Sequence, residues 1–381
     1  MHLPVTTEQF LAEYWQQRPL LCQQALPNFQ SPITAEELAG LAMEPDIDSR
    51  MVWQDAGVWL LQDGPFSEHA FQGAAPWTLL VQGVDRCDSR VSILRNTLPP
   101  LPRWRFDDVM VSFATDQAGV GPHFDRYDVF LLQGSGRREW RIGPHCDDET
   151  PQLQENGLNL IPPFEPVETY VVEPGDVLYV PPGVAHWGVA LGEAITYSLG
   201  FRAPPVGDLM ARRTDAALEL MSATSLLEDG AAAHKTARPG EFTAEHVANA
   251  RDAINNALDA LDSGLWFGEV MTEGGGDPDH TYPLDAPQGD QLRLHPATRI
   301  AWRERESTID MFIDGEHFEV PLNSLKPLMA LCSEEWVQRR ELAEATETLF
   351  AALRETGAVS YTHLRAHETP EHRGWRGVGG K

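Results

Sequence analysis

Hydrophobic and polar positions follow two different periods along this chain, and the change of period divides it. Near the start, Thr6-Thr-Glu-Gln-Phe-Leu-Ala-Glu-Tyr-Trp places apolar residues about 3.6 apart behind a hydroxyl cap and an early acid, which predicts a helix. Thr34-Ala-Glu-Glu-Leu-Ala-Gly-Leu-Ala repeats that pattern. From Asp107 to Pro204 the chain turns to short apolar runs cut by Gly, Pro and Asp. Val109–Ala114, Tyr127–Gln133, Arg137–Ile142, Glu168–Val172, Val177–Val180 and Ala194–Phe201 are the predicted strands. Their spacing suits an antiparallel barrel or jelly roll, with hairpin turns expected at Gly134-Ser-Gly136 and Glu173-Pro-Gly-Asp176.

Beyond Pro204-Pro205 the period becomes helical again, over Asp208–Leu227 and Ala244–Leu261. Two such helices either close a bundle with those of a second copy or cover their own barrel. Further on, Ile309–Val320 carries Asp314-Gly315 as a hairpin signal, followed by helical stretches at Leu325–Leu331 and Arg340–Thr356. The fold class expected is α+β. Its parts are an N-terminal helical and mixed region (1–90), a jelly-roll, double-stranded β-helix core (91–205), a helical region (206–270) and a small winged-helix-like unit (271–359). Residues 360–381 hold three of the thirteen histidines, end in basic Gly-rich sequence and continue no apolar period. They read as a non-native tail and are left out of metal arguments.

Composition narrows the class. With 381 residues, 42% apolar and 23% charged, the chain has ample length for a full core. No stretch approaches the roughly 20 apolar residues of a membrane span. Cys22, Cys87, Cys146 and Cys332 show no paired spacing, so a reduced, cytoplasmic setting is expected. A net charge of −28 argues against direct contact with a nucleic-acid backbone and allows a basic protein partner.

Candidate chemistry centres on His123-Phe-Asp125. In an extended segment, period-two alternation throws the imidazole and the carboxylate to one side. His186, in Pro181-Pro-Gly-Val-Ala-His186-Trp, can complete a set of two neutral nitrogens and one hard oxygen. That set, leaving open positions on the metal, is the signature of non-haem Fe(II) oxygenases. Gly119-Val-Gly-Pro-His123 supplies a flexible approach to a strand start near a barrel mouth, and the prolines before His186 stiffen its lead-in. A surface pair for His123 and Asp125, and a satisfied core histidine for His186, are the structural alternatives. Alternation also places Arg138 with Trp140 and Ile142 on the apolar side of its strand. An inward guanidinium requires an anion, which a dicarboxylate beside the metal or an internal Asp or Glu would supply.

The run His123-Phe-Asp125, Gly134-Ser-Gly-Arg-Arg138-Glu-Trp140, Pro174-Gly-Asp176 and His186-Trp resembles the Jumonji C oxygenases. Within them it is most similar to the bacterial ribosomal-oxygenase branch, whose members hydroxylate an arginine of a large-subunit ribosomal protein, protein sixteen. The likeness extends in layout over residues 1–355, and the specific motifs lie in 107–202. The resemblance implies Fe(II) held by His123, Asp125 and His186, with 2-oxoglutarate and O2 as cosubstrates. It implies Arg138 on the distal carboxylate of 2-oxoglutarate, with Ser112 and Ser198 lining that pocket. A homodimer through the post-barrel helices, a C-terminal winged-helix-like domain and a basic ribosomal protein as substrate also follow from it. Asp116 is a candidate for meeting the substrate guanidinium, with a plain turn role as its alternative. The same iron chemistry on another protein or a small molecule, demethylation of a basic tail, and a non-catalytic cupin-type binding module remain open.

Overall fold

The computed structural model describes residues 1–73, 76–228, 238–274, 291–295 and 297–333, with scattered positions from 337 to 361. Most of the expected Arg340–Thr356 helix and nearly all of the 360–381 tail lie outside the described residues. The chain divides into two compact units, the first spanning Met1–Ala203 and the second Pro204–Leu294 with Thr298–Tyr361.

In the first unit, Thr6 caps helix α1 (Thr7–Glu13) through the Gln9 N–H, and Thr34 and Glu37 form a reciprocal capping box on α2 (Ala35–Leu41). The strands are β1 (Leu20–Cys22), β2 (Ser49–Asp55), β3 (Val58–Asp63), β4 (Trp77–Val81), β5 (Phe106–Ala114) and β6 (Asp128–His145). They continue as β7 (Leu153–Glu155), β8 (Leu158–Leu160), β9 (Glu168–Val172), β10 (Val177–Val180) and β11 (Val184–Phe201). The large sheet runs β1-β10-β6-β11-β5-β4-β2-β3, with β9 also on β6, and β7–β8 pair as a separate hairpin. Every ladder among them is antiparallel. This is the jelly-roll architecture that the strand pattern predicted.

Two of the expected hairpins are absent. Gly134-Ser-Gly136 does not end a strand, because β6 runs through it as one 18-residue element. Against it β11, also 18 residues, shifts register between Leu191 and Ile195. Gly136 adopts φ +64, and a Cβ there would stand 1.9 Å from the Glu193 carbonyl oxygen, so the glycine makes a bulge that bends the pair from one layer into the other. Similarly, Glu173–Asp176 is a turn but not a hairpin, since β9 and β10 lie along different stretches of β6.

Alternation gives the sheet two working faces. Outward, Val109, Val111, Phe130, Leu132, Tyr197 and Leu199 join Phe10, Ile33 and Leu38 in a continuous core. Inward, Val129, Leu131, Trp140, Ile142, Val172, Leu178 and Val180 pack together inside the barrel. Asp128, fully buried where β6 begins, accepts hydrogen bonds from Tyr179 Oη (2.6 Å) and Gln16 Nε2 (3.2 Å). That ties the start of the strand to the segment after α1.

The short helices α3 (Val84–Cys87) and α4 (Ser89–Ser92) are held to β5 by a reciprocal clasp. Asp85 Oδ1 accepts the Val109 N–H at 2.8 Å, and Asp108 Oδ2 accepts the Gly83 N–H at 2.9 Å.

The second unit contains α5 (Val206–Leu220), α6 (Ala244–Leu261) and α7 (Leu265–Thr272). Its strands are β12 (Gln291–Leu294), β13 (Ile300–Glu304), β14 (Thr308–Ile313), β15 (Glu316–Pro321), β16 (Val337–Gln338) and β17 (Val359–Tyr361), with helix α8 (Leu325–Cys332) between β15 and β16. Asp314 (φ +47) and Gly315 (φ +90) make the tight turn between β14 and β15 that the dipeptide signalled. The first post-barrel helix stops at Leu220, seven residues short of its expected end, while α6 spans the whole predicted range. No helix among the described residues is long and apolar enough to cross a membrane.

The clasp carries a pH signature. Burial pushes the Asp85 carboxyl up to about 7 against the pull of the Val109 N–H, with the charge of Asp108 adding to the rise. The folded state therefore holds this proton more tightly than the unfolded chain. Its stabilising contribution is full below the ordinary carboxylate range and is lost as pH rises through about 7. Asp85→Asn keeps an acceptor for Val109 and removes the titration. Its unfolding free energy at pH 8 should exceed the parent's by on the order of 1–3 kcal/mol, the gap shrinking as pH falls towards 4. Denaturant titrations at several pH values check this, and parallel profiles for the two proteins would exclude it.

Candidate metal centre

His123 and His186 face each other across an isolated antiparallel bridge. Each backbone N–H donates to the other's carbonyl, His123 to His186 at 3.1 Å and the reverse at 2.8 Å. The regular strand begins at Asp128, one residue from its expected start at Tyr127, so the pair lies on the approach to the strand rather than at its start. The physical reason lies in the sequence. Pro122 has no N–H to give a ladder, and Gly121 sits at φ +88, so only one paired position survives. Asp125 lies past the bridge, where its carbonyl accepts the Gly183 N–H at 2.7 Å. Gly183, at φ +78, in turn accepts the Cys146 N–H at 2.6 Å.

These backbone ties bring one ligand atom each from His123, Asp125 and His186 within 4.8 Å of one another. His123 Nδ1 is 2.9 Å from the Gly121 carbonyl, and His186 Nδ1 is 3.0 Å from that of Val184. A carbonyl can only accept, so both Nδ1 atoms carry a proton, which leaves each Nε2 as the atom that can ligate a metal once any proton on it is lost. His186 Nε2 stands 3.5 Å from Asp125 Oδ2. Burial disfavours charge on Asp125, but the hydrogen bond from His186 and the charges of both imidazoles outweigh it and hold the carboxyl below its ordinary value. For His123, burial and then the neighbouring His186 lower the pKa, favouring the neutral imidazole that ligation needs. For His186 burial pulls the same way, yet the Asp125 carboxylate prevails and raises it.

Arg138 occupies the inward face of β6, 4% exposed. Ala190 of β11 and Val172 of β9 flank it in register, and its Cζ lies 5.6 Å from the Trp140 ring centre. Trp140 lies in turn 5.9 Å from the His186 ring, so the indole links the guanidinium to the histidine pair. Nε and Nη2 of Arg138 have no hydrogen-bond partner among the described residues, and burial lowers its pKa to about 10. Among the described residues Arg138 makes no ion pair with an Asp or Glu, the alternative considered for it. Gly188 leaves room for this arrangement, since a Cβ there would stand 2.7 Å from Trp140 Cζ3 and 3.0 Å from Arg138 Cδ. An unpaired buried cation is costly, and a carboxylate supplied from outside would satisfy it.

The two serines are less directly placed. Ser112 is buried on the inward face of β5 and its hydroxyl donates to the Thr196 carbonyl at 3.4 Å. Thr196 continues this polar row to Gln133 Oε1 at 3.0 Å. Ser198 is half-buried and pairs with Met110 and Leu131. Neither serine hydrogen-bonds Arg138 or the triad. Asp116 is exposed and takes the turn role, accepting the Gly192 N–H at 2.7 Å.

Sequence reasoning passed over a third inward group, Asp108. It is 6% exposed and engages only Oδ2, which accepts Gln82 Nε2 at 2.7 Å and the Gly83 N–H at 2.9 Å. Among the described residues Oδ1 accepts no hydrogen bond, and it faces the space left by Gly200, whose Cβ would stand 3.8 Å away. The Tyr127 hydroxyl lies near the Asp125 carboxylate and favours its charged form. Burial of that hydroxyl, with the charges of Asp125 and Asp108, raises its pKa and keeps it protonated. The signal was present in the alternation of Asp108-Val-Met110-Val-Ser112, which puts an acid on the inward face.

Comparison with known proteins agrees with this geometry. The JmjC domain family matches residues 94–209. The ribosomal protein uL16 3-hydroxylase of Escherichia coli is 36% identical over 290 residues, covering 74% of this chain and 76% of that protein. A probable ribosomal oxygenase of Haemophilus influenzae is 36% identical over 210 residues, or 54% of this chain and 52% of its own length. Among solved structures, the E. coli ribosomal oxygenase YcfD superposes with a TM-score of 0.79 at 31% identity, over 95% of this chain and 99% of that one. A complex of YcfD with cobalt and 2-oxoglutarate superposes with a TM-score of 0.78 at 32% identity, over 94% and 99% of the two chains. Its triad, its jelly roll and these likenesses together place the chain in the JmjC-domain ribosomal oxygenase family.

Proposed function

We propose that this chain is an Fe(II)- and 2-oxoglutarate-dependent dioxygenase that hydroxylates an arginine side chain of the large-subunit ribosomal protein uL16. The observation that carries the cosubstrate assignment is Arg138, a buried guanidinium with two unpartnered nitrogens behind a two-histidine, one-carboxylate cluster. His123, Asp125 and His186 would hold the iron through Nε2, a carboxylate oxygen and Nε2. Arg138 would grip the distal carboxylate of 2-oxoglutarate. Bound there, iron with O2 and 2-oxoglutarate supplies an oxidant strong enough to replace a C–H bond by C–OH, releasing succinate and carbon dioxide. The cobalt and 2-oxoglutarate named for the YcfD complex are the same ligand classes.

The rest of the mechanism belongs to this chain's own residues. Gly121 and Val184 hold the protons on Nδ1 and so orient both imidazoles. The Tyr127 hydroxyl beside the Asp125 carboxylate favours its charged form, the one that ligates. Trp140, buried and near both Arg138 and His186, gives the site an apolar wall. Positioning one C–H bond against a dry metal centre is the contribution such a scaffold makes to rate.

An arginine as the target fits Asp108. Its free Oδ1, inside the barrel and in the same field as Tyr127, is an acceptor for a substrate guanidinium, with Met110 beside it for the aliphatic stem. A net charge of −28 draws in a basic ribosomal protein at long range. That same site is the ground for preferring this reading over a small-metabolite oxygenase or a binding module that has lost turnover. We also infer a homodimer working in the cytoplasm, assembled through α5 and α6, where Val206, Met210, Leu218, Val247 and Ile254 are exposed. The 271–359 region is read as a winged-helix-like domain.

Succinate release with Fe(II), 2-oxoglutarate and uL16 fragments tests the activity, with a product about 16 Da heavier by mass spectrometry. His123→Ala should abolish it. Arg138→Ala should raise the half-saturating 2-oxoglutarate concentration by about 10- to 100-fold while changing kcat less, the scale of losing charge-assisted hydrogen bonds. An unchanged requirement would sink the pocket assignment. Asp108→Asn should lower kcat/KM for the arginine peptide by about 10- to 100-fold and leave 2-oxoglutarate affinity unaltered. Equal loss on a lysine-substituted peptide would argue against a guanidinium contact. Finally, Met210→Asp with Ile254→Asp should halve the mass seen by light scattering, and a parent already of monomer mass would refute the dimer.

A further inference from the structure

The loop that delivers His123 has little regular structure to hold it. Among the described residues its one bridged position is His123, with single main-chain bonds at Gln117, Ala118, Pro122 and Asp125, and it contains two glycines, Gly119 and Gly121. A ligand on such a segment samples many conformations unless neighbours restrict it. Two hairpins supply that restriction. Gly121 packs against Trp59 of β3, the terminal strand of the large sheet, and against Leu160 of β8. A Cβ at Gly121 would stand 3.1 Å from Cε2 and Cζ2 of Trp59 and 3.1 Å from Cδ2 of Leu160. The hairpins are also joined to each other and to the loop. Asn156 Nδ2 donates to the Trp59 carbonyl at 2.8 Å, and the Ile161 N–H donates to the Pro122 carbonyl at 2.9 Å.

We propose that Trp59, with Leu160, is a positioning residue for the metal centre: the two side chains fix the Gly121 carbonyl, and that carbonyl fixes the proton and rotation of the His123 ring. The path is continuous in the structure. The indole touches Gly121, and the Gly121 carbonyl accepts the Nδ1–H of His123 at 2.9 Å, leaving Nε2 to face Asp125 and His186. Partners that orient a metal-bound histidine commonly govern affinity as well as geometry. Gly121 itself has no room for a side chain and holds φ +88, so the contact is made to bare backbone and sets the carbonyl direction directly. Trp59 belongs to the N-terminal region rather than to the stretch carrying the JmjC motifs. Placement of the first histidine ligand therefore depends on an element outside that stretch.

This inference rests on the reading of His123, Asp125 and His186 as metal ligands, and the experiment separates the two. Full-length, metal-free protein is titrated with Co(II), and binding is followed by visible absorption of the bound ion, with no turnover required. His123→Ala tests the ligand assignment and should abolish the signal. Trp59→Ala and Leu160→Ala should each weaken Co(II) binding by about tenfold, and Trp59→Phe, which keeps a ring on Gly121, should restore it to within about twofold of the parent. Thermal unfolding of the metal-free variants reports their folding, and Trp59→Leu replaces Trp59→Ala if the latter does not fold, with the same weakening expected. If the Trp59 and Leu160 variants bind Co(II) like the parent while His123→Ala does not, the positioning role is overturned and the metal centre stands. If His123→Ala also binds like the parent, the ligand assignment itself falls.

Discussion

Everything at this site depends on one backbone pairing, the reciprocal hydrogen bonds between His123 and His186. A hydrogen-bonded antiparallel pair sets its two Cα atoms at a nearly fixed separation, whatever the side chains are. Here it leaves the imidazole centres 4.3 Å apart, close enough to share an ion. The side chains then need only one further constraint each, and both find it locally in a carbonyl two residues upstream, Gly121 for His123 and Val184 for His186. Asp125 is added through its own carbonyl, pinned by Gly183. Ligand geometry is thus built almost wholly from main-chain bonds, which lie inside a packed scaffold and are hard to distort.

The barrel around that pairing keeps two unsatisfied charges facing inward. Among the described residues Arg138 has no anion and Asp108 keeps one oxygen idle, at different places on the inward surface. A structure assembled for stability alone would pair such groups or replace them by apolar residues. Leaving both open fits the proposed pair of guests, an acidic cosubstrate and a basic side chain. The glycines at 188 and 200 serve the same end, each keeping a side chain out of the space beside one of those groups.

Departures from the expected fold share a cause. The continuous β6, the bulge at Gly136 and the missing hairpin at Glu173–Asp176 all concern how strands pair rather than whether they form. Short apolar runs between glycines fit two strands joined by a turn as well as one long strand bent by a bulge. Only the partner strand distinguishes them, and β11 supplies it by shifting register opposite the glycine.

What the chain declares locally, it declares well. Alternation alone put Arg138 with Trp140 and Ile142 on the inner face, marked Asp314-Gly315 as a turn and bounded α6 at Ala244 and Leu261. The ligand types and the proline-stiffened approach to His186 were legible too, because neighbouring residues encode direction and stiffness. Only the tertiary structure decided that His123 pairs with His186, that Asp108 shares the chamber with Tyr127, and that Trp59 reaches the loop before the first ligand. Those facts join residues tens of positions apart. A repeat of two or of about 3.6 says which way a side chain points, and it carries no information about which distant strand will lie opposite.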